Sequence, residues 1–425
     1  MSTDVDVLAA PLGTFSPMHP QVLVCPVAFN ARMRREVPVY RCPHTGIVFV
    51  FDHALLQGVA ADHETFSNRF GERVRLGDDP DPRVSAAMAK GYPPVDTMLT
   101  QDPPLHRRYR GLVNQAFTRR RVQALAPDVE ALAHGFVDRF AGAGHCEFVE
   151  AFCEPLPLTV IAGQLGVPEA DLAQLRAWSH AFVTRLGRSS TGDAALAAVE
   201  RIVEFQHYFA ARLEERRKAP VDDILSDLVH ADLAGERSLD TAESLSVLQQ
   251  LLVAGNETTT ASLAEGMALL IANPDQATQL RQADAGAQDE LLERFVEEVL
   301  RLGSATANMW RVCTVDTEIA GVAVPKGALV QLRFASANRD ESVFTEPDRL
   351  DLTRADSERH VAFGHGVHMC VGASLARMEL KVAFRVLLAR LDSLALDCAA
   401  DALEYTPNAL MRGLRRLPIR FRARA

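Results

Sequence analysis

The chain has 425 residues, of which 45 are Lys or Arg and 55 are Asp or Glu, so its formal net charge is 45 − 55 = −10. An acidic chain lacks the basic footprint of a nucleic-acid-binding protein, and an anionic membrane surface would repel it. Hydrophobic residues make up 48% and charged residues 24%, which excludes a disordered or membrane-embedded chain.

The cysteines predict a reducing compartment. Seven of them are scattered along the chain without any Cys-x-x-Cys pair, which is typical of reduced thiols. The N-terminus has no basic segment followed by an apolar run, and no stretch of 18 uninterrupted apolar residues occurs. We therefore expect a cytoplasmic protein without a membrane segment.

In chain order, residues 37–51 are two β-prone runs around a Pro/Gly turn and predict a hairpin. Apolar residues then recur at helical spacing in several later segments. These segments are 105–118, 122–142, 193–217, 240–271 and 287–301. Asp240 and Glu243 form a capping-box pattern at the start of an unusually long helix.

After residue 301 the chain becomes rich in Gly, Pro and short strand-like runs, before a last helix over about 373–391. No repeat or linker occurs, so we expect one domain over 1–425, mainly α with small β-sheets (α+β). Its β-rich parts are predicted at about 37–60, at 305–350 and in the C-terminal tail. Its α-rich parts are predicted at about 100–301 and 373–391.

The segment 363–372, Phe-Gly-His-Gly-Val-His-Met-Cys-Val-Gly, delivers Cys370 to the entrance of that last helix. A helix N-terminus stabilises a thiolate, which is the form that binds iron. Gly364, Gly366 and Gly372 allow the backbone to approach a flat ligand closely. For a lone cysteine, a buried structural thiol in a Gly-rich turn is the alternative.

This segment resembles the haem-binding loop of the cytochrome P450 superfamily, Phe-x-x-Gly-x-x-x-Cys-x-Gly, with every fixed position present. The resemblance implies the P450 fold, with a long central helix over a haem b whose iron is held by the Cys370 thiolate. It also implies that Phe363, Gly364 and Gly372 contact the haem.

Glu298 and Arg301 form a Glu-x-x-Arg pair about 70 residues before Cys370. The pair resembles the structural Glu-x-x-Arg of the same family, which ties a core helix to the segment leading into the haem loop. We expect both residues to be structural rather than catalytic. By itself, such a spacing is also common in solvated ion pairs.

Ala254-Gly255-Asn-Glu257-Thr258 interrupts the apolar interior of the long helix. It resembles the family's oxygen-activation motif, in which Thr258 is the alcohol and Glu257 the neighbouring acid that together deliver protons. The resemblance places Ala254 and Gly255 against the haem. A polar helix face with a tolerated glycine is the alternative.

Further residues resemble the partners of the two haem propionates. His106 and Arg110 lie at i, i+4 in Asp-Pro-Pro-Leu-His-Arg-Arg-Tyr-Arg, while Arg311 and His368 occupy the other usual positions. Buried anionic groups need cationic or hydrogen-bonding partners.

The basic region 105–121 predicts docking of an acidic iron–sulfur ferredoxin, although a solvated helix end is as good an explanation for Arg119, Arg120 and Arg121. Electrons are expected from NAD(P)H through a separate ferredoxin reductase and ferredoxin. The family default is a monomer.

By resemblance, a set of mostly apolar residues is expected to contact substrate. The set is Met98, Leu99, Phe182, Val253, Ala254, Thr306, Asn308, Leu410 and Met411. An apolar pocket with few polar anchors suits a terpenoid, steroid or aromatic compound, with O2 as the oxidant. A fatty-acid or carrier-bound substrate is the runner-up, and a non-catalytic haem-binding or sensing protein is the alternative from another class.

Overall fold

The structure, a computed structural model, describes residues 7–71, 81–186, 191–230 and 237–424. Positions 187–190 and 231–236 of the predicted α-rich part lie outside the described residues. Helices predominate and the sheets are small, so the predicted fold class is confirmed.

The six segments predicted as helices are helical, but the helix His53–Ala61 lies within the part predicted as β-rich. The described helices are α1 (Pro20–Val24), α2 (Val27–Glu36), α3 (His53–Ala61), α4 (Pro82–Met88), α5 (Leu105–Ala116), α6 (Arg119–Phe140), α7 (Pro155–Gln164), α8 (Leu172–Leu186), α9 (Gly192–Lys218), α10 (Ile224–His230), α11 (Thr241–Ala272), α12 (Pro274–Gln282), α13 (Ala285–Gly303), α14 (Phe334–Ala337) and α15 (Ala373–Arg390). Helix α11 has 32 residues. At its start the Asp240 amide donates to Glu243 Oε2 and the Glu243 amide donates to Asp240 Oδ1, both at 2.9 Å, so the predicted capping box forms.

The strands of the described residues form three sheets. They are β1 (Val39–Arg41), β2 (Val48–Val50), β3 (Phe66–Ser67), β4 (His145–Glu147), β5 (Met309–Cys313), β6 (Thr317–Ile319), β7 (Val322–Val324), β8 (Leu329–Leu332), β9 (Leu391–Leu396) and β10 (Pro418–Ala423). The orders are β1-β2-β8-β5-β3, β4-β10-β9 and β6-β7. The predicted hairpin is the antiparallel β1–β2 pair, and β2 runs parallel to β8.

The chain separates into two compact units. The first contains the described residues of Met1–Ser67, Leu125–Leu156 and Thr258–Ala425, and the second those of Asn68–Ala124 and Pro157–Glu257. The single-domain interpretation stays a prediction.

In the first unit, strand β2 is buried on both faces. Val48 and Val50 pack with Val330 in one apolar cluster, while Phe49 packs with Phe51 in another. Alternating side chains of a strand point to opposite faces, so this short apolar run serves two cores at once.

In the second unit, an aromatic cluster joins helices α8 and α9. Phe182 and Phe205 meet edge to face with ring centroids 5.0 Å apart, and Trp178 contacts Phe205 at 5.8 Å. Phe182 is only 1% exposed, so this packing accounts for its burial.

Candidate active site

The loop that carries Cys370 has a defined backbone geometry. The Cys370 amide donates to the Phe363 carbonyl at 2.8 Å, which closes the segment into a compact turn. Gly364 and Gly366 both adopt φ +73°, a left-handed conformation that side chains disfavour. A Cβ on Gly366 would also lie 2.9 Å from the Ala60 carbonyl oxygen, so this glycine is required for close packing on helix α3.

Gly372 is a different case, because its backbone conformation is ordinary (φ −86°, ψ 6°). A Cβ there would meet nothing closer than the Cys370 sulfur, at 3.9 Å. Neither strain nor crowding within the protein demands glycine, so its effect is to keep the space beside the sulfur open to a flat ligand.

The cysteines fall into two environments. Burial raises the pKa of Cys153 well above its ordinary value and that of Cys146 to about 12, with nearby Glu147 adding to both shifts. These thiols stay protonated. Cys370 is half-buried, as Cys146 is, but it lies just before helix α15, whose N-cap Gly372 provides no side-chain cap.

Two predicted propionate partners lie in the first unit with Cys370. Arg311 is on strand β5, 2% exposed, and its Nη1 donates to the Trp310 carbonyl at 2.8 Å. His368 is half-buried in the turn Gly366–His368, two residues before the sulfur.

Glu298 and Arg301 form a fully enclosed ion pair. Arg301 Nε and Nη2 bind Glu298 Oε1 and Oε2 at 2.6 and 2.9 Å, and both side chains are 0% exposed. The remaining Arg301 donors bind backbone carbonyls at 338, 347 and 349. Asn338 continues the connection, because its Oδ1 accepts from the Val361 amide at 2.7 Å. The pair thus connects helix α13, through the 338–351 segment, to the start of the cysteine loop.

The middle of helix α11 carries the predicted acid and alcohol. Ala254 is exposed and Thr258 half-buried, and residues at i, i+4 share a helix face. The flanking residues Leu251, Leu252 and Asn256 are buried. Ala254 and Thr258 are therefore more exposed than the leucines beside them.

Glu257 points toward helix α8 of the second unit. Ser179 Oγ donates to Glu257 Oε1 at 2.8 Å, and Asn256 Nδ2 donates to the same Ser179 oxygen at 3.2 Å. Ser179 is fully buried. Sequence reasoning missed this serine, because no local pattern links it to a residue 78 positions later.

The remaining propionate candidates lie on helix α5. His106 is 3% exposed and Arg110 is half-buried one turn later. Between them, Arg108 Nη1 and Tyr109 Oη donate to Glu243 Oε1 at 2.9 and 3.0 Å. Burial alone would raise the pKa of Glu243, but hydrogen bonds led by Arg237 lower it to about 2.

Two arginines of the predicted basic region, 105–121, form ion pairs within the protein. Arg108 is bound to Glu243, and Arg121 binds Asp227 at 2.5 Å and Asp222 at 3.2 Å. Docking of a partner at this basic region stays a prediction. Arg107, Arg119 and Arg120 are exposed.

Of the predicted substrate residues, one group lies together in the first unit. Thr306 pairs with Met411 in an isolated β-bridge, and the Asn308 amide donates to the Leu410 carbonyl at 3.0 Å. Asn308 Nδ2 binds the Ala409 carbonyl at 2.9 Å. This side chain therefore ties two segments together, which accounts for its burial.

The other group lies in the second unit. Met98 is half-buried and Leu99 is 37% exposed, on a loop whose Leu99 amide donates to Gln250 Oε1 at 3.0 Å. Val253 is half-buried on helix α11. Their contact with substrate stays a prediction.

The family profile described as cytochrome P450 matches residues 189–398. Cytochrome P450 monooxygenase PikC of Streptomyces venezuelae is 36% identical over 93% of this chain and 91% of its own. Mycinamicin IV hydroxylase/epoxidase of Micromonospora griseorubida is 38% identical over 80% of this chain and 82% of its own. A crystal structure of P450BioI in complex with acyl carrier protein carrying hexadec-9Z-enoic acid has a TM-score of 0.82 and 30% identity, covering 94% of this chain and 99% of that one.

The chain belongs to the cytochrome P450 family of monooxygenases. The predicted family and enzyme class are confirmed, and with them the haem and thiolate chemistry that the family carries. Cys370, before an uncapped helix start and beside the open space at Gly372, fits the thiolate ligand of a haem. Within the described ranges, no helix is both long and apolar enough to cross a bilayer.

Proposed function

We propose that this P450 hydroxylates a hydrophobic small molecule, using O2 and electrons from NAD(P)H delivered by a ferredoxin reductase and a ferredoxin. The observation that carries the proposal is the geometry of the loop 363–372. Gly364 and Gly366 adopt left-handed backbone conformations, and a Cβ on Gly372 would meet nothing closer than the Cys370 sulfur, at 3.9 Å. When bound, the haem would supply the oxidising chemistry, with electron donation from the thiolate favouring cleavage of the O–O bond.

Four side chains are proposed to neutralise the propionates of the haem: His106, Arg110, Arg311 and His368. Guanidinium groups suit carboxylates because they offer paired donors in a fixed plane. Arg311 is 2% exposed, so a propionate bound to it would be shielded from solvent, which strengthens the attraction between the two charges.

Glu257 and Thr258 are proposed to deliver the protons that the reduction of O2 consumes. Thr258 would hold a proton-donating water at its hydroxyl, and Glu257 would exchange protons with solvent through its carboxylate. The hydrogen bond from Ser179 holds Glu257 Oε1, so movement of this carboxylate requires that bond to break.

The names of the relatives refine the substrate class. The Micromonospora relative acts on mycinamicin IV, as its name states. Another relative, from Bacillus subtilis, is named a polyketide biosynthesis cytochrome P450. We therefore extend the predicted class of terpenoids, steroids and aromatic compounds to polyketides.

The P450BioI complex favours a second candidate, because that protein was crystallised with an acyl carrier protein bearing a fatty acid. A carrier-bound chain needs a docking surface for the carrier protein, and a basic surface would attract a carrier of acidic charge. The exposed Arg107, Arg119 and Arg120 would serve such a partner or an acidic ferredoxin.

An optical titration of the ferric protein discriminates the substrate classes. Macrolides, steroids, terpenes, free fatty acids and acyl carrier protein bearing a fatty acid would each be added while the Soret band is recorded. A low-to-high-spin shift with a free small molecule supports the first candidate. A shift only with the carrier-bound chain supports the second.

The ligand assignment is tested by Cys370→Ser, with Cys398→Ser as the matched control at another half-buried cysteine. The reduced CO complex of Cys370→Ser should lose its thiolate-type spectrum while the control keeps it. A thiolate-type spectrum in Cys370→Ser would refute the assignment.

The proton-delivery assignment is tested by Thr258→Ala. We expect NADH and O2 consumption to continue while the fraction of electrons recovered in product falls by about tenfold or more. Unchanged coupling would refute the role of Thr258.

A further inference from the structure

The residue before Glu298 organises a second network that no sequence motif pointed to. Arg377, on helix α15, binds Glu297 with two parallel hydrogen bonds, Nε to Oε1 and Nη2 to Oε2, both at 2.7 Å. His360 Nε2 reaches Glu297 Oε2 at 3.1 Å. A bidentate carboxylate fixes both the position and the plane of a guanidinium.

The histidine orientation is also fixed. His360 Nδ1 accepts from the Ala362 amide at 3.2 Å, so Nε2 carries the proton that it donates to Glu297. Burial would raise the pKa of Glu297, but the hydrogen bonds from Arg377 and His360 lower it to about 2, so the carboxylate stays charged.

The network leads directly to the cysteine loop. The Arg377 guanidinium lies over the Phe363 ring, 4.6 Å from its centroid, and the His360 ring is 5.9 Å from the same ring. A cation over an aromatic face is attracted by the negative face of the ring. The Phe363 carbonyl in turn accepts the Cys370 amide. Glu297, Arg377, Phe363 and Cys370 thus form a continuous series of contacts.

The positive charge of Arg377 also matters for the cysteine. The hydrogen bonds to Glu297 raise the pKa of Arg377 against the effect of its burial, and the negative charges of Glu358 and the Cys370 thiolate raise it further. The attraction is mutual, so the Arg377 cation stabilises negative charge at the Cys370 sulfur. Arg377 lies seven residues after Cys370, two helical turns away in sequence.

We propose that Arg377 sets the reduction potential of the iron bound to Cys370, and that Glu297 and His360 are positioning residues that hold Arg377 over Phe363. This inference rests on the proposed function of Cys370 as the haem ligand. One-electron reduction adds a negative charge to the iron–thiolate unit. A fixed cation stabilises that added charge and so favours the reduced state.

Helix α15 offers a matched control. Arg385 lies on the same helix, is 38% exposed against 37% for Arg377, and binds Asp289 Oδ1 at 2.5 Å. Asp289, like Glu297, is on helix α13. The two pairs therefore bridge the same two helices, and Arg377 alone of the two is stacked on Phe363.

The experiment is a spectroelectrochemical titration of the holoprotein. In Arg377→Gln the equilibrium constant for reduction should fall by about tenfold, while Arg385→Gln stays within about twofold of the unaltered protein. Arg377→Lys, which keeps the positive charge, should have an equilibrium constant for reduction close to that of the unaltered protein. An unchanged constant in Arg377→Gln, or an equal fall in Arg377→Lys, would overturn the inference.

Positioning by Glu297 is measured by the rate at which the reduced CO complex converts from its thiolate-type to its thiol-type spectrum. Glu297→Gln should accelerate the conversion. The double variant with Arg377→Gln should convert no faster than Arg377→Gln alone, because Glu297 acts through Arg377. Additive acceleration would overturn the positioning role. Absence of any thiolate-type spectrum in the unaltered protein would overturn the proposed function together with the inference.

Discussion

Glu297 and Glu298 are neighbours on helix α13, yet they hold different parts of the first unit. Glu298 is 0% exposed and binds Arg301 and Arg354, whose remaining donors bind carbonyls of the 338–351 segment. Glu297 faces Arg377 and His360, which contact the cysteine loop. Adjacent helical residues point about 100° apart. Two neighbouring glutamates can therefore contact different parts of the unit, one the 338–351 segment and the other the residues that pack on the Cys370 loop.

The comparison predicts its largest effect at Glu298. Glu298→Gln keeps the shape of the side chain but leaves Arg301 and Arg354 without their buried counter-charge, at a cost of about 3–5 kcal/mol in the free energy of unfolding. Urea unfolding followed by far-ultraviolet circular dichroism measures the change. A loss below about 1 kcal/mol in the free energy of unfolding would contradict the view that the Glu298 network stabilises the fold more than the Glu297 network does.

The contribution of Glu297 to the free energy of unfolding is predicted to depend on pH. Its pKa is about 2 in the folded protein against an ordinary value of 4.5, so the charged carboxylate stabilises the fold above about pH 4.5 and loses this effect as the pH falls toward 2. The free energies of unfolding of the unaltered protein and Glu297→Gln should differ by about 3 kcal/mol at pH 7. Unfolding curves between pH 7 and pH 2 should show this difference narrowing below pH 4.5. A difference that does not depend on pH would contradict the assignment.

Asn338 connects the Glu298 network to the cysteine loop, and removing it tests how separate the two regions are. Asn338→Ala leaves the buried Val361 amide without its acceptor, which costs about 2 kcal/mol. Thermal unfolding should show the loss, and Asn338→Asp, which keeps the acceptor oxygen, should recover most of it. Equal losses in the two variants would argue against this bond as the cause.

The smallest effect is expected at an ion pair of the same spacing on the surface. Glu346 Oε2 and Arg349 Nη1 are 3.0 Å apart, but their side chains are 66% and 61% exposed. Glu346→Gln should change the free energy of unfolding by less than about 1 kcal/mol. A larger change in the same urea assay would mean that burial does not explain the cost at Glu298.

Sequence reasoning reached the local features. The capping box at Asp240 and Glu243, the hairpin at 37–51 and the helix after Cys370 all follow from short-range rules, since caps, turns and helical periodicity involve residues a few positions apart. The family could also be inferred from a local pattern, because the glycines and the cysteine of the loop lie within the ten residues 363–372.

Contacts between distant parts of the chain were not predicted from the sequence. Ser179 meets Glu257 over 78 positions and Arg377 meets Glu297 over 80, and neither pair has a spacing that a helix or strand imposes. Arg108, in the predicted basic region, binds Glu243, 135 positions away, and no local pattern indicates that pair.

The sequence by itself determined the elements, their caps and the thiol-bearing loop, because each depends on the conformational preferences of adjacent residues. Only the tertiary structure decided which of two neighbouring glutamates faces the buried Arg301 and which faces Arg377 beside the Cys370 loop. That choice depends on how helices α13 and α15 pack, and packing is settled by the shapes and charges of the whole unit rather than by any local pattern.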